Sequence, residues 1–140
     1  MDPSDTRCSA DLMGGMRDDI SRIKDPVAKL RALAALAQAA AAKHDLKTLR
    51  TTLGEGFDLG QELFERDSSA HPGELSYQLK GFDELGTLTQ AGVRADPDAT
   101  LALIATVQDQ LLQAYLPIEA AEALSERHAT TVSRVPAASP

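Results

Sequence analysis

The sequence predicts an all-α fold of about six antiparallel helices arranged as helical hairpins, and three observations support this fold class. The 140 residues include 23 alanines and 19 leucines, both strong helix formers, among 60 apolar residues. Valine and isoleucine together number nine, which is too few for a sheet of several strands. Apolar residues also recur at spacings of three and four along most of the chain, as on one face of a helix.

The first three helices are predicted from apolar spacing and from aspartates that can cap a helix. The first runs from about Asp11 to Ile23, and its apolar seam consists of Met13, Met16, Ile20 and Ile23. Asp25-Pro26 opens the second helix, because aspartate caps an N-terminus and proline suits the first helical position. That helix ends near His44, and Asp45 caps a long third helix that ends around residues 67–69.

Three glycines in the third helix predict an irregular feature there. Gly54, Gly56 and Gly60 each lower helix propensity by about 1 kcal/mol relative to alanine. Two explanations fit them: a break near residues 54–56, or a close crossing with another helix.

The second half of the chain predicts three more helices. A turn at His71-Pro72-Gly73 precedes a fourth helix, which ends near Gly92 and carries Leu75, Leu79, Phe82, Leu85 and Leu88. Asp96-Pro97 opens the fifth helix. The sixth begins near Asp109, with an apolar set of Leu112, Tyr115, Leu116, Ile118 and Leu124. Pro117 inside it costs about 3 kcal/mol unless a kink or break absorbs it.

The domain organisation expected from these elements is simple. Residues 1–10 form a flexible N-terminal segment, residues 11–127 a single helical domain, and residues 128–140 a disordered tail. The one cysteine, Cys8, excludes an intrachain disulfide and a cysteine-based zinc site. No secretory signal and no apolar run of membrane-spanning length is present, so we expect a cytoplasmic protein without membrane contact.

Charge is distributed unevenly along the chain. Residues 1–50 carry a net charge of +2 and residues 51–140 a net charge of −9. An acidic chain disfavours nucleic-acid binding, which needs a basic surface against the phosphates. The asymmetry fits either electrostatic complementarity between helices of one domain or head-to-tail self-association.

The segment over residues 33–59, LAALAQAAAAKHDLKTLRTTLGEGFDL, resembles the tetratricopeptide-like helical repeats. Leu36-Ala37 takes the place of the repeat's Leu-Gly, His44-Asp45 that of its Gly-Asp turn, and Gly56 that of a small packing residue. Three further positions align with the repeat but carry other residue types: Ala40 and Leu53, where the repeat has aromatic residues, and Leu49, where it has a small residue. The chain lacks the repeat's Trp, its first-helix Tyr and its closing proline. The resemblance implies an α-solenoid that binds proteins or peptides.

Four carboxylates in the third helix form the candidate binding residues. Glu55, Asp58, Glu62 and Glu65 follow a three–four–three spacing that places them along one stripe, which we call the acidic stripe. The stripe could ligate cations or receive a basic peptide or protein, or it could simply be a solvated helix face. Glu119, Glu122 and Glu126 form a second, shorter acidic set with the same two interpretations.

The expected function is therefore a non-enzymatic scaffold for protein–protein or peptide interaction. No cofactor, metal site or catalytic residue is predicted, because His44, His71 and His128 are widely separated and no nucleophile motif is present. The alternative is a bundle that self-associates through the Met13–Ile23 seam, or an accessory subunit of a larger complex. A third option uses the turn at Ser69 and His71 as a ligand-binding or catalytic site.

Overall fold

The computed structural model describes residues 13–73, 75 and 79–134, and over residues 127–134 it describes the backbone. Over these residues the fold is all-helical, as predicted, with six helices. Within the described residues there is no strand. The helices are α1 (residues 13–21), α2 (Pro26–Ala42), α3 (Leu46–Ala70), α4 (Phe82–Ala95), α5 (Pro97–Ala105) and α6 (Gln110–Arg134).

Four aspartates cap helix N-termini, which confirms each of the predicted starts that depended on them. Each carboxylate accepts a hydrogen bond from a backbone N–H of the first helical turn, which would otherwise lack a partner. The caps and the helices that they open are Asp25 at α2, Asp45 at α3, Asp96 at α5 and Asp109 at α6.

The fourth helix begins seven residues later than predicted, at Phe82 instead of Leu75. Gly81 has a φ of 88°, in the left-handed region that stops a helix from extending backwards through it. Just before it, the Lys80 N–H donates to the carboxylate of Asp67 on α3 at 3.0 Å. This hydrogen bond holds the segment between α3 and α4 against α3 just before α4 begins.

The observed helix ends differ from the predicted ones at both ends of the domain. The prediction of a disordered tail from residue 128 is wrong for residues 128–134, because α6 continues to Arg134. The rest of that tail, residues 135–140, and the predicted flexible segment 1–10 lie outside the described residues. The helix α1 ends at residue 21, two residues before the predicted end.

The helices α2 to α6 form two rows, because each packs against the next helix and the next but one. In one row, α4 lies between α2 and α6, and in the other, α5 follows α3. The first helix joins the second row through an ion pair of 3.3 Å between Arg17 and Glu55 of α3. One continuous hydrophobic core runs between the rows, from Met13 of α1 to Ala123 of α6.

The glycines of α3 are explained by a close crossing with α4, and α3 has no break. Gly56 lies under the side chain of Leu88, where an added Cβ would come within 2.6 Å of a leucine methyl carbon. Gly60 lies under Leu85 in the same way, at 2.7 Å. Because both glycines lack side chains, two leucines of α4 fill the space against the α3 backbone.

The helix α6 continues through Pro117 because that residue lies on its exposed side. Proline removes the hydrogen bond that would run to the carbonyl of Gln113, one turn earlier. Gln113 is also exposed, so water can solvate the freed carbonyl and the helix is not interrupted.

Two alanine substitutions test the close crossing. Nothing lies within 4 Å of a Cβ added at Gly54, so Gly54→Ala should raise the free energy of unfolding by about 1 kcal/mol through helix propensity. Gly60→Ala should lower it by about 1–2 kcal/mol, because overpacking against Leu85 outweighs the same gain in propensity. Urea denaturation of the two variants measures both changes, and stabilisation by Gly60→Ala would contradict the crossing.

Candidate interaction surfaces

The acidic stripe is exposed along α3, as its spacing predicts. All four of its carboxylates, Glu55, Asp58, Glu62 and Glu65, belong to exposed residues. Two of them are paired within the chain: Glu55 with Arg17 of α1 at 3.3 Å, and Glu62 with Arg66 at 2.5 Å. These pairs reduce the charge that the stripe offers to a basic partner.

The second acidic set connects α6 to α4. Glu119 accepts a hydrogen bond from Gln90 of α4, and Glu126 pairs with Arg94 of α4 at 3.1 Å. Burial and the neighbouring Glu119 carboxylate raise the pKa of Tyr115, so its hydroxyl remains a proton donor. Two of the three carboxylates therefore help to hold α6 against its neighbour.

The turn at Ser69 and His71 contains structural contacts. Ser69 is exposed in the last turn of α3, and His71 ends that helix with its Nε2 at 3.8 Å from Asp67 Oδ1. Asp67 is already engaged, since it accepts the Lys80 N–H that fixes the connection to α4. In the part of the chain that the structure describes, no group of three or more His, Cys, Asp or Glu side chains could hold a metal ion.

The methionine and isoleucine seam of α1 is covered by the chain itself. Met13 and Ile20 are buried, and Met16 and Ile23 pack, partly buried, against the same core. The alternative hypothesis that this seam pairs with a second copy is therefore not favoured by the fold, because most of the apolar surface of the seam is already used in folding.

An open cleft of about 440 Å³ lies between the C-terminal ends of α2 and α4. Ala41 and Ala91 form its floor, and His44 and Arg94 lie at its rim with Gln38 and Ala42. Arg94 is also the partner of Glu126, so the main charge at this rim is paired. The cleft is a space left by small side chains at the end of a helix pair.

Three of the six large apolar residues that are exposed among the described residues lie on α6, on a surface that sequence reasoning missed. The helix has two apolar faces: Leu112, Leu116, Ala120 and Ala123 are buried against the core. The opposite face, which we call the α6 end face, consists of six exposed residues: Leu111, Ala114, Pro117, Ile118, Ala121 and Leu124. Successive residues of this face are three, three, one, three and three positions apart, so the sequence did contain a signal for a second apolar face. The prediction for this helix combined residues of both faces into a single apolar set.

The α6 end face lies at one end of the row formed by α2, α4 and α6. Its large side chains remain substantially accessible, with relative exposures of 46% for Leu111, 56% for Ile118 and 37% for Leu124. No described carboxylate or cation lies within this face, and Glu122 lies at its edge. Helices with apolar residues on two opposite faces are ordinarily covered by other helices or strands on both faces.

An ion pair joins α3 to the start of α5. Arg50 Nε lies 2.6 Å from Oδ2 of Asp96, and the other Asp96 oxygen accepts the Ala99 N–H at the helix start. The hydrogen bond from Arg50 lowers the pKa of Asp96 below its ordinary value. The pair positions α5 and leaves Asp96 no free oxygen for other chemistry.

Comparison of the chain with protein-family models, with curated proteins and with solved structures gives no match. Among the helices of the described residues, none combines the length and the apolar character that crossing a membrane requires. The surfaces themselves are therefore the basis for a functional argument.

Replacing Asp96 by asparagine tests the ion pair. Asn retains the capping oxygen but removes the charge, so Asp96→Asn should lower the free energy of unfolding at neutral pH by about 1 kcal/mol. Because the pKa of Asp96 is lowered in the folded state, this contribution is full above about pH 4 and is lost as the pH falls through the lowered pKa.

Urea denaturation at neutral and acidic pH measures the difference between the wild-type chain and Asp96→Asn. The difference should shrink in acid, and a constant or growing difference would contradict the assignment. Arg66→Gln, which breaks the exposed pair with Glu62, is the control and should change stability by less than about 0.5 kcal/mol.

Proposed function

We propose that the protein is a non-enzymatic helical scaffold that binds a helix of a protein partner on the α6 end face. The observation that carries this proposal is the six-residue exposed apolar face on the last helix of a row. Contiguous apolar patches on soluble proteins are typical of interaction sites.

The two-row arrangement supports a repeat-like scaffold. Packing of each helix against the next and the next but one is the pattern of stacked helical hairpins, in agreement with the tetratricopeptide-like resemblance of residues 33–59. In such stacks, each helix covers the apolar side of its neighbour, and the outer side of an end helix is ordinarily polar. The α6 end face is apolar instead, and an additional helix would cover it as α6 covers α4.

Covering this face would contribute part of the free energy of a contact with another helix. Burying an exposed leucine or isoleucine side chain stabilises by about 1.5–3 kcal/mol, and the three large residues here are each exposed by roughly half. Completing their burial would contribute about 1 kcal/mol each. The alanines between them contribute little area but let a partner backbone come close.

The acidic stripe supports a secondary role for a basic partner. Asp58 and Glu65 are its exposed members outside the two ion pairs with Arg17 and Arg66. Electrostatic attraction there would raise the association rate more than the affinity, because exposed charges are screened. A cytoplasmic location is part of the same proposal and rests on the single cysteine.

A photo-crosslinking residue placed at position 118 tests the proposed surface in the cells that make the protein. We expect protein adducts at this position in greater yield than at position 75, where Leu75 is 55% exposed but lies outside the face. The same photo-crosslinking residue at position 58 tests whether the partner also contacts the acidic stripe. The proposal fails if adducts at position 118 do not exceed those at position 75.

A further inference from the structure

We propose that α1 is a displaceable helix that covers a binding groove beside α3, and that this groove takes a basic amphipathic helix of a partner protein. The groove is separate from the α6 end face, so the proposal goes beyond the proposed function. Two features of α1 carry it: a short apolar seam holds the helix on the core, and two glycines weaken it.

The two glycines of α1 have no packing role among the described residues. Gly14 and Gly15 are exposed helical residues, and a Cβ added at either one would meet nothing within 4 Å. Each makes the helical state about fivefold less favourable than alanine would. Gly56 and Gly60 of α3 admit leucine side chains of α4, whereas the glycine pair of α1 admits no neighbouring side chain. Its cost to α1 is therefore not offset by packing.

The contacts that the structure describes for α1 hold it lightly. The helix covers residues 13–21, and isolated helices of this length are marginal in water, so α1 depends on its packing. That packing consists of the Met13–Ile23 seam on the core and one ion pair, Arg17 with Glu55, whose side chains are 42% and 49% exposed. An ion pair this exposed adds little stability. Elements held in this way open locally before the whole chain unfolds.

Displacement of α1 would leave an apolar groove with a negative border. The apolar side chains of the core that the seam now covers would be exposed. On α3, Glu55 would lose its partner Arg17, and Asp58 lies one turn further along the same helix as an exposed carboxylate. The open groove therefore combines apolar surface with two carboxylates of the acidic stripe.

The residues of α1 indicate which ligand this groove accepts. They combine an apolar seam, spaced by three, four and three residues, with the cation Arg17 against Glu55. A partner helix with the same seam and a basic residue beside it would make both kinds of contact. A second basic residue one turn further along could also reach Asp58. A partner helix without glycines is also a better helix than α1 and can compete with it.

The affinity for such a helix depends on how often α1 is open. A partner helix binds the open form, so its apparent dissociation constant is the intrinsic constant divided by the open fraction. A substitution that stabilises α1 in its closed position therefore weakens binding by the same factor. This relation can be measured in the 140-residue chain.

A fluorescent peptide of residues 13–25 that carries Gly14→Ala and Gly15→Ala is the probe, and its anisotropy measures binding to the 140-residue chain. The wild-type chain should bind the peptide. A chain with the same two substitutions should bind it more weakly by about fivefold or more, because its own α1 closes more firmly. Gly54→Ala is the control, since it adds the same helix propensity to α3 in open space and should leave the affinity unchanged.

The proposal fails if the wild-type chain at millimolar concentration does not bind the peptide. It also fails if the chain with Gly14→Ala and Gly15→Ala binds as tightly as the wild type. Circular dichroism of each chain verifies that it is folded.

Two variants of the probe peptide test the negative border. At low salt, Arg17→Glu should lower the affinity by about threefold or more, because the peptide then brings a like charge against Glu55. Arg22→Glu gives the peptide the same net charge at an exposed position beyond the end of α1, and it should cost less. An equal loss for the two peptides would overturn the assignment of Glu55 as the residue that selects a basic partner.

Hydrogen exchange in the chain without peptide tests the opening of α1 itself. Backbone amides of residues 17–21 should exchange about tenfold faster or more than those at the centre of α3. Gly14→Ala and Gly15→Ala together should slow the exchange in α1 and leave that in α3 unchanged. Exchange in α1 at the rate of global unfolding would overturn the displaceable helix, and it would leave the proposal for the α6 end face intact.

Discussion

The close contact between two glycines of α3 and two leucines of α4 is the constraint on which the rest of the architecture depends. At Gly56 and Gly60, the side chains of Leu88 and Leu85 of α4 occupy the space beside the α3 backbone where a Cβ would lie, so a larger residue at either position would displace them. This approach places α4 in the centre of the molecule, in contact with α2, α3, α5 and α6. The loss of helix propensity at the glycines is offset by the burial of Leu85 and Leu88.

A central α4 also determines which surfaces remain for binding. Polar links run outward from it, from Gln90 to Glu119 and from Arg94 to Glu126, and they hold α6 in place by one side. The other side of α6 has no neighbour in the described part of the chain and is apolar. The structure therefore separates a polar edge that completes the fold from an apolar end that is suited to another helix.

Features determined by nearby residues were predictable, and features determined by distant ones were not. Capping aspartates such as Asp25 and Asp96 signal helix starts within one turn, so those starts were predicted correctly. The later start of α4 depends on a contact between Lys80 and Asp67, thirteen residues apart, which periodicity does not contain.

The same distinction applies to the candidate surfaces. Spacing correctly placed the carboxylates of the acidic stripe together, because one helix fixes their relation. It could not show that the Met13–Ile23 seam packs against the core or that one apolar side of α6 is exposed, since both depend on which helices are neighbours. For α6, the separation of its apolar residues into two opposite sets was present in the sequence, but only the packing of α4 shows which set is covered.

Nuclear Overhauser contacts in a methyl-labelled sample measure the central contact most directly. The account predicts strong contacts from the Leu88 methyl groups to the Gly56 α-protons and from the Leu85 methyl groups to those of Gly60. The α-protons of Gly54, which have open space beside them, should show neither contact. Absence of both leucine–glycine contacts in the folded chain would contradict the central position of α4.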